Sequence, residues 1–163
     1  MLTQLVFTGL VDSPLPWRAD WAWGLPLIVL IVLIHVLGLA MTGGAVRRIF
    51  SRSSQGHPTV LFVIVTGTAT FLATCLHAIE AMIWAIAYTV LGAIPSYRLA
   101  VLYSLNAITS YGHTNLALDD HWHLMGALEA LNGWLLFGLT TAFLFGVVDK
   151  VRVMEKRFKR SAS

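Results

Sequence analysis

Three sets of polar residues stand out in this 163-residue chain because apolar sequence surrounds them. His77 and Glu80 lie three residues apart in the run from about Val60 to Gly92, on one face of a helix. Glu129 lies in a second run, from about Leu124 to Val148, close to Gly133 and Gly138. An acid at membrane depth is costly and normally faces protein, water or a partner. Each carboxylate therefore has two readings. It handles a proton or cation, or it accepts hydrogen bonds that tie helices together, Glu80 towards the short segment that follows and Glu129 bracing the loop. The third set is Thr109, Ser110, Tyr111, Gly112, His113, Thr114 and Asn115, a polar loop between apolar segments. Carbonyl oxygens of such a loop, presented by several copies around an axis, can replace the hydration shell of an ion.

The remaining histidines carry weaker signals. His35 stands alone in the run Leu25 to Val46 and reads as a hydrogen-bonded interhelical histidine. His113, His121 and His123 cluster with Asp119 and Asp120. Histidine titrates near pH 6.5, so copies of His113 around a mouth would add positive charge on acidification and repel cations. His121 and His123 suggest zinc, but residues two apart point away from each other on a helix and spacing supplies no third ligand. No metal site is assigned. Cys75 is the one cysteine and can form neither an internal disulfide nor a Cys-pair metal site. The HExxH, GxSxG, P-loop and CxxC patterns are absent, so no enzymatic activity or cofactor is expected.

The elements that must position these residues are spans. Hydrophobic residues make up 57% of the chain and charged ones 12%. Soluble domains run at about 45–50% and about 25%, so a soluble globular enzyme or a disordered protein is excluded as a first reading. Three runs are long enough to cross a bilayer, 25–46, about 60–92 and about 124–148. A shorter piece, Leu99 to Ile108, cannot cross as a helix and is expected to be re-entrant or buried. Nine of the eleven Lys and Arg residues follow the first and third spans, Arg47, Arg48 and Arg52 and six between Lys150 and Arg160. The positive-inside rule puts both groups in the cytoplasm, and hence the N-terminus and the segment 93–123 outside.

Around the spans, residues 1–24 read as an extracytoplasmic segment anchored by Trp17, Trp21 and Trp23 at the interface. Pro14, Pro16 and Pro26 are expected to break any long helix there. Residues 25–57 comprise an additional span and a polar cytoplasmic turn. The basic tail, 149–163, is a topology signal with anionic lipid as a further contact. Without a binding motif, the charge does not indicate nucleic acid.

The segment 58–148 resembles the pore-loop potassium-channel superfamily, in particular its small bacterial members with an extra N-terminal span. Those proteins carry S-L-x-x-F-T-T-[VL]-G-Y-G-D, a short loop, and an inner helix W-x-x-x-x-A-x-E-A-x-x-G. This chain reads Ser104-Leu105-Asn106-Ala107-Ile108-Thr109-Ser110-Tyr111-Gly112-His113-Thr114-Asn115, then Trp122 and Ala127-Leu128-Glu129-Ala130-Leu131-Asn132-Gly133, in gap-free register. The likeness extends over about Leu76 to Phe145. It places the family's filter on Ser110 to Thr114 and its following acid on Asn115. Tyr111, His113 and Thr114 depart from the family's residues. Thr114 stands where a glycine is usual, and a β-branched residue reaches positive φ only as a steric outlier. A second register, with the filter at Ile108 to Gly112, aligns Tyr111-Gly112 with the family's Tyr-Gly but loses the fit to the preceding helix.

The resemblance implies an all-α membrane protein of three transmembrane helices plus a re-entrant pore helix and filter loop, assembled as a homotetramer in the cell (inner) membrane. The outer helix would be 60–92, the pore helix 96–108, the filter 109–115 and the inner helix 124–148, with Gly133 and Gly138 lowering the inner helix's stiffness as hinge residues and Gly133 at the family's hinge position. The implied function is passive conduction of monovalent cations, potassium by likeness, with selectivity open. Two rivals remain. One is a non-conducting membrane scaffold that kept the fold and lost the filter. The other is a metal-binding membrane protein using the outer histidines.

Overall fold

The computed structural model describes residues 14–52, 58–112 and 116–161. All regular structure among them is helical. Helix α1 spans Pro14–Arg52, α2 spans Pro58–Val90, α3 spans Tyr97–Ile108 and α4 spans His123–Ser161, with a 3-10 turn at Asp120–Trp122. Three of these, α1, α2 and α4, are long and apolar enough to cross a membrane. Only 22%, 22% and 28% of their most apolar windows are buried within the chain. Leu37, Met41, Phe71, Val90 and Phe145 are each more than three-fifths exposed. Side chains of this kind, uncovered over whole helix faces, suit lipid or protein neighbours and not water. The chain is therefore described as a multi-pass membrane protein.

The prolines do not break α1. The helix begins at Pro14 and continues through Pro26 to Arg52. Pro14 and Pro16 fall in the first turn, where amide hydrogens have no partner to lose. Pro26 does remove an internal bond, but it lies against an apolar cleft with Trp23, Leu30 and Met125. In an apolar setting the alternative to a helix is an unsatisfied backbone, so the helix persists past the proline. The basic tail continues α4 as helix to Ser161.

The chain forms two compact units, described separately, and each of the long helices contributes to both. One unit holds the described residues 14–31 with 81–133. Its core is aromatic. Trp84 and Tyr88 stack at 6.0 Å, and Tyr103 meets Tyr88 edge-on at 5.3 Å. Helix α3 buries Ala100, Tyr103, Ser104 and Ala107. That i, i+3, i+4, i+7 pattern is the period of one helix face. The other unit holds the described residues within 32–80 and 134–161. Val46, Leu61, Val65, Ala69, Val147 and Val151 make its aliphatic core. Thr42, Thr74 and Thr141 donate their hydroxyls to carbonyls four residues back, which hides these polar groups within their own helices.

Candidate functional site

In the first unit the polar side chains converge on Glu129. This carboxylate is fully buried and accepts hydrogen bonds from Ser104 of α3 and, at 2.7 Å, from the Tyr88 hydroxyl of α2. One acid on α4 thus holds the short helix and its neighbour together. A buried carboxylate is tolerable only when such donors replace its water. The Tyr103 hydroxyl ionises only near pH 12, pushed up by its burial and then by the Glu129 charge, so it stays neutral. Asp20 is buried too, and its Oδ1 has no hydrogen-bond partner.

The end of α3 sets the start of the loop. Ser110 N–H donates to Ala107 O at 3.0 Å, and Tyr111 N–H to Asn106 O at 3.0 Å. This pair of bonds is a Schellman motif, which needs a left-handed residue just past the helix. Ser110 takes that conformation with φ +53°. At the end of α2 the same pair of bonds forms around Gly92, with φ +72°. Ser110 therefore does with a Cβ what Gly92 does without one. Gly112 follows at φ +91°, a region L-residues rarely enter, and Tyr111 is 85% exposed. Thr109 closes the helix and donates its hydroxyl to Leu105 O. His113, Thr114 and Asn115 lie outside the described residues.

Gly133 lies directly against this helix end. A Cβ there would collide with the carbonyl oxygen of Ile108 and come within 2.9 Å of its Cα. The close approach of α4 to α3 is thus what the glycine permits. A Cβ added at Gly138 would meet nothing within 4 Å.

Glu80 belongs to a different constellation, in the second unit. Its carboxylate Oε1 lies 2.8 Å from Nδ1 of His35 on α1, and Oε2 lies 3.2 Å from Nδ1 of His77. The partner outside α2 is on the first helix, in place of the expected tie towards α3. His35 and His77 in turn both approach Thr140 Oγ1 of α4, at 3.1 and 3.0 Å. The histidine rings are 5.1 Å apart. His35, read as an interhelical histidine, sits in this cluster fully buried.

Among the described residues, His121 and His123 belong to no group of three metal-type side chains. His123 Nε2 donates to Leu118 O at 2.9 Å, and His121 is exposed. Among the described residues, the group of three or more metal-type side chains is His35, His77 and Glu80. Sequence reasoning missed Tyr88, Asp20 and Thr140. Asp20 carried a signal, as an acid beside an apolar run. Tyr88 and Thr140 carried none, since both residue types are common in spans. Asn132 is also buried, and neither side-chain polar atom has a hydrogen-bond partner.

No known protein family, characterised protein or solved structure matches this chain.

Proposed function

We propose that the chain is a protomer of a passive cation channel of the potassium-channel type, conducting through the loop that follows α3. The carrying observation is the anchoring of a twelve-residue helix, too short to cross a membrane, between two long ones. Its Ser104 is bonded to Glu129 of α4, and its backbone at Ile108 is packed on Gly133. Helix α3 ends in a polar, glycine-containing turn, and its C-terminal end carries partial negative charge that favours a cation. On its other face Leu99, Leu102 and Leu105 are uncovered. In a homotetramer those leucines would meet neighbouring copies or lipid. The permeant ion is monovalent, with potassium the first candidate by resemblance.

One observation favours the non-conducting scaffold. Ser110 and Tyr111 turn back over the end of α3 in the Schellman bonds, so the loop starts as a turn and not as an extended run of carbonyls. The deciding experiment is ion flux from purified protein in liposomes under a K⁺ gradient, with Na⁺ in a parallel set. A channel gives flux that Gly112→Asp abolishes. A folded tetramer without flux between about pH 5 and 8, the range over which histidine changes charge, supports the scaffold and ends the channel reading.

A further inference from the structure

The cluster of His35, His77, Glu80 and Thr140 is unused by the conduction reading, and its geometry has a consequence of its own. Thr140 Oγ1 has two lone pairs, and both imidazole Nε2 atoms approach it at 3.1 and 3.0 Å. One hydroxyl hydrogen can serve only one of them. When Oγ1 accepts from both, the two rings carry their protons on Nε2 and present both Nδ1 lone pairs to the other side. Glu80 stands on that side, with Oε1 at 2.8 Å and Oε2 at 3.2 Å from the respective Nδ1 atoms. Oε2 is buried and has no hydrogen-bond partner. Two nitrogen lone pairs and a carboxylate then converge with nothing positive between them. Such an arrangement repels itself in a low-dielectric interior unless a proton or a metal cation joins it.

We propose that His35, His77 and Glu80 bind a divalent transition-metal ion of the zinc class, with Thr140 as the positioning residue that orients both imidazoles. A ligand atom from each of the three lies within 4.8 Å of the others. With metal–ligand bonds of about 2.0–2.1 Å, ligands about 90–110° apart are roughly 2.9–3.4 Å from each other. The two nitrogen–oxygen separations, 2.8 and 3.2 Å, already lie within a few tenths of an ångström of that range. Two imidazoles with one carboxylate suit zinc. Calcium and magnesium require mostly oxygen ligands. A ligating histidine ordinarily donates its other ring N–H to an acceptor that fixes its orientation, and Thr140 does this for both rings at once. The ion would cross-link α1 to α2 and, through Thr140, hold α4.

The test uses the full chain without a histidine tag, purified in detergent, stripped with a chelator and re-equilibrated with Zn²⁺. Bound metal is measured by elemental analysis, and the site is probed by the visible absorption of Co²⁺. The expected result is about one ion per chain with a tetrahedral Co²⁺ spectrum. His77→Ala and Glu80→Gln should lose it, while Thr140→Val should weaken affinity about 10–100-fold. His121→Ala should retain it. Glu80→Gln is nearly isosteric, and its folding is checked by helicity and gel filtration. Wild-type protein that holds no metal under these conditions overturns the proposal, leaving a cluster charged by protons alone. Full retention of metal in folded Glu80→Gln, or loss only in His121→Ala, overturns it as well. Metal loading and ion flux are separate readouts, so either idea can fail without the other.

Discussion

At Glu129 a single carboxylate replaces the water it lost with two hydroxyl donors from different helices. Removing one donor leaves the acid with the other, whereas removing the acid strands both hydroxyls. Tyr88→Phe and Ser104→Ala are each expected to destabilise the protein by about 0.6–2 kcal/mol, the range for hydrogen bonds between membrane helices. Glu129→Leu should cost more than either, because buried unsatisfied hydroxyls carry about 1–3 kcal/mol each. Denaturant titration of the protein in detergent micelles checks the order. A Glu129→Leu protein as stable as wild type would mean that the acid is not what holds α3. Glu80 differs from Glu129 in what surrounds it. Both are acids on apolar helices with zero exposure, yet one is surrounded by hydroxyl donors and the other by imidazoles. Hydroxyls can stabilise a carboxylate while sharing no charge with it. Imidazoles bring lone pairs as well as protons, so only the second site is suited to a metal ion.

Helices α3 and α4 illustrate why two glycines on one helix differ. At Gly133 an added methyl meets the backbone of Ile108, which cannot rotate away as a side-chain end could. Gly133→Ala is therefore expected to destabilise by about 1–3 kcal/mol, the usual cost of overpacking, and to disturb the loop that Ile108 leads into. Gly138→Ala meets open space, and should be neutral or stabilise α4 by up to about 1 kcal/mol through helix propensity. Thermal unfolding of the two variants separates these outcomes. Flux measured on the same proteins tests the hinge idea at Gly138. A Gly138→Ala protein that is stable but cannot conduct would show that flexibility there matters to function. The ends of α2 and α3 make a related point. The same terminating bonds form around Gly92 and around Ser110, so the demand for a left-handed residue comes from how a helix stops and not from which residue is supplied.

For the molecule as a whole, the charge distribution makes the prediction. The positive-inside rule predicts that the bases after α1 and along the end of α4 lie in the cytoplasm. A fluorescent protein that folds only in the cytoplasm, fused after Ser163, should fluoresce. A cysteine placed at His121 should react with a membrane-impermeant thiol reagent from outside intact cells, in a Cys75→Ser background. The reverse pattern would overturn the assigned orientation. Three spanning helices enclose no pathway by themselves, and the uncovered leucines of α3 leave room for neighbours. Crosslinking in membranes should therefore give a ladder ending at four chains if the channel reading is right.

Much of this was legible in the chain itself. The three spans and the short helix between the second and third follow from runs of apolar residues, because a bilayer leaves backbone no stable alternative to helix. The polarity of the loop and the value of Gly112 were equally visible. Which face α3 buries was not legible, since the exposed Leu99, Leu102 and Leu105 are more apolar than the buried Ala100, Tyr103, Ser104 and Ala107. Ser96 and Thr109 bracket the helix as N-cap and C-cap residues. The proline reading failed for α1 because local rules count a lost hydrogen bond, while the apolar surroundings penalise every other backbone conformation more. What only the tertiary structure decided is which polar groups meet. Glu80 and His35 are 45 residues apart and His35 and Thr140 are 105 apart, and no periodicity within one helix can pair side chains on three. The partner of a buried acid is set by how helices rotate and slide against each other, through close approaches such as Ile108 on Gly133. Those contacts depend on shape at the scale of single methyl groups, which the pattern of apolar and polar residues does not encode.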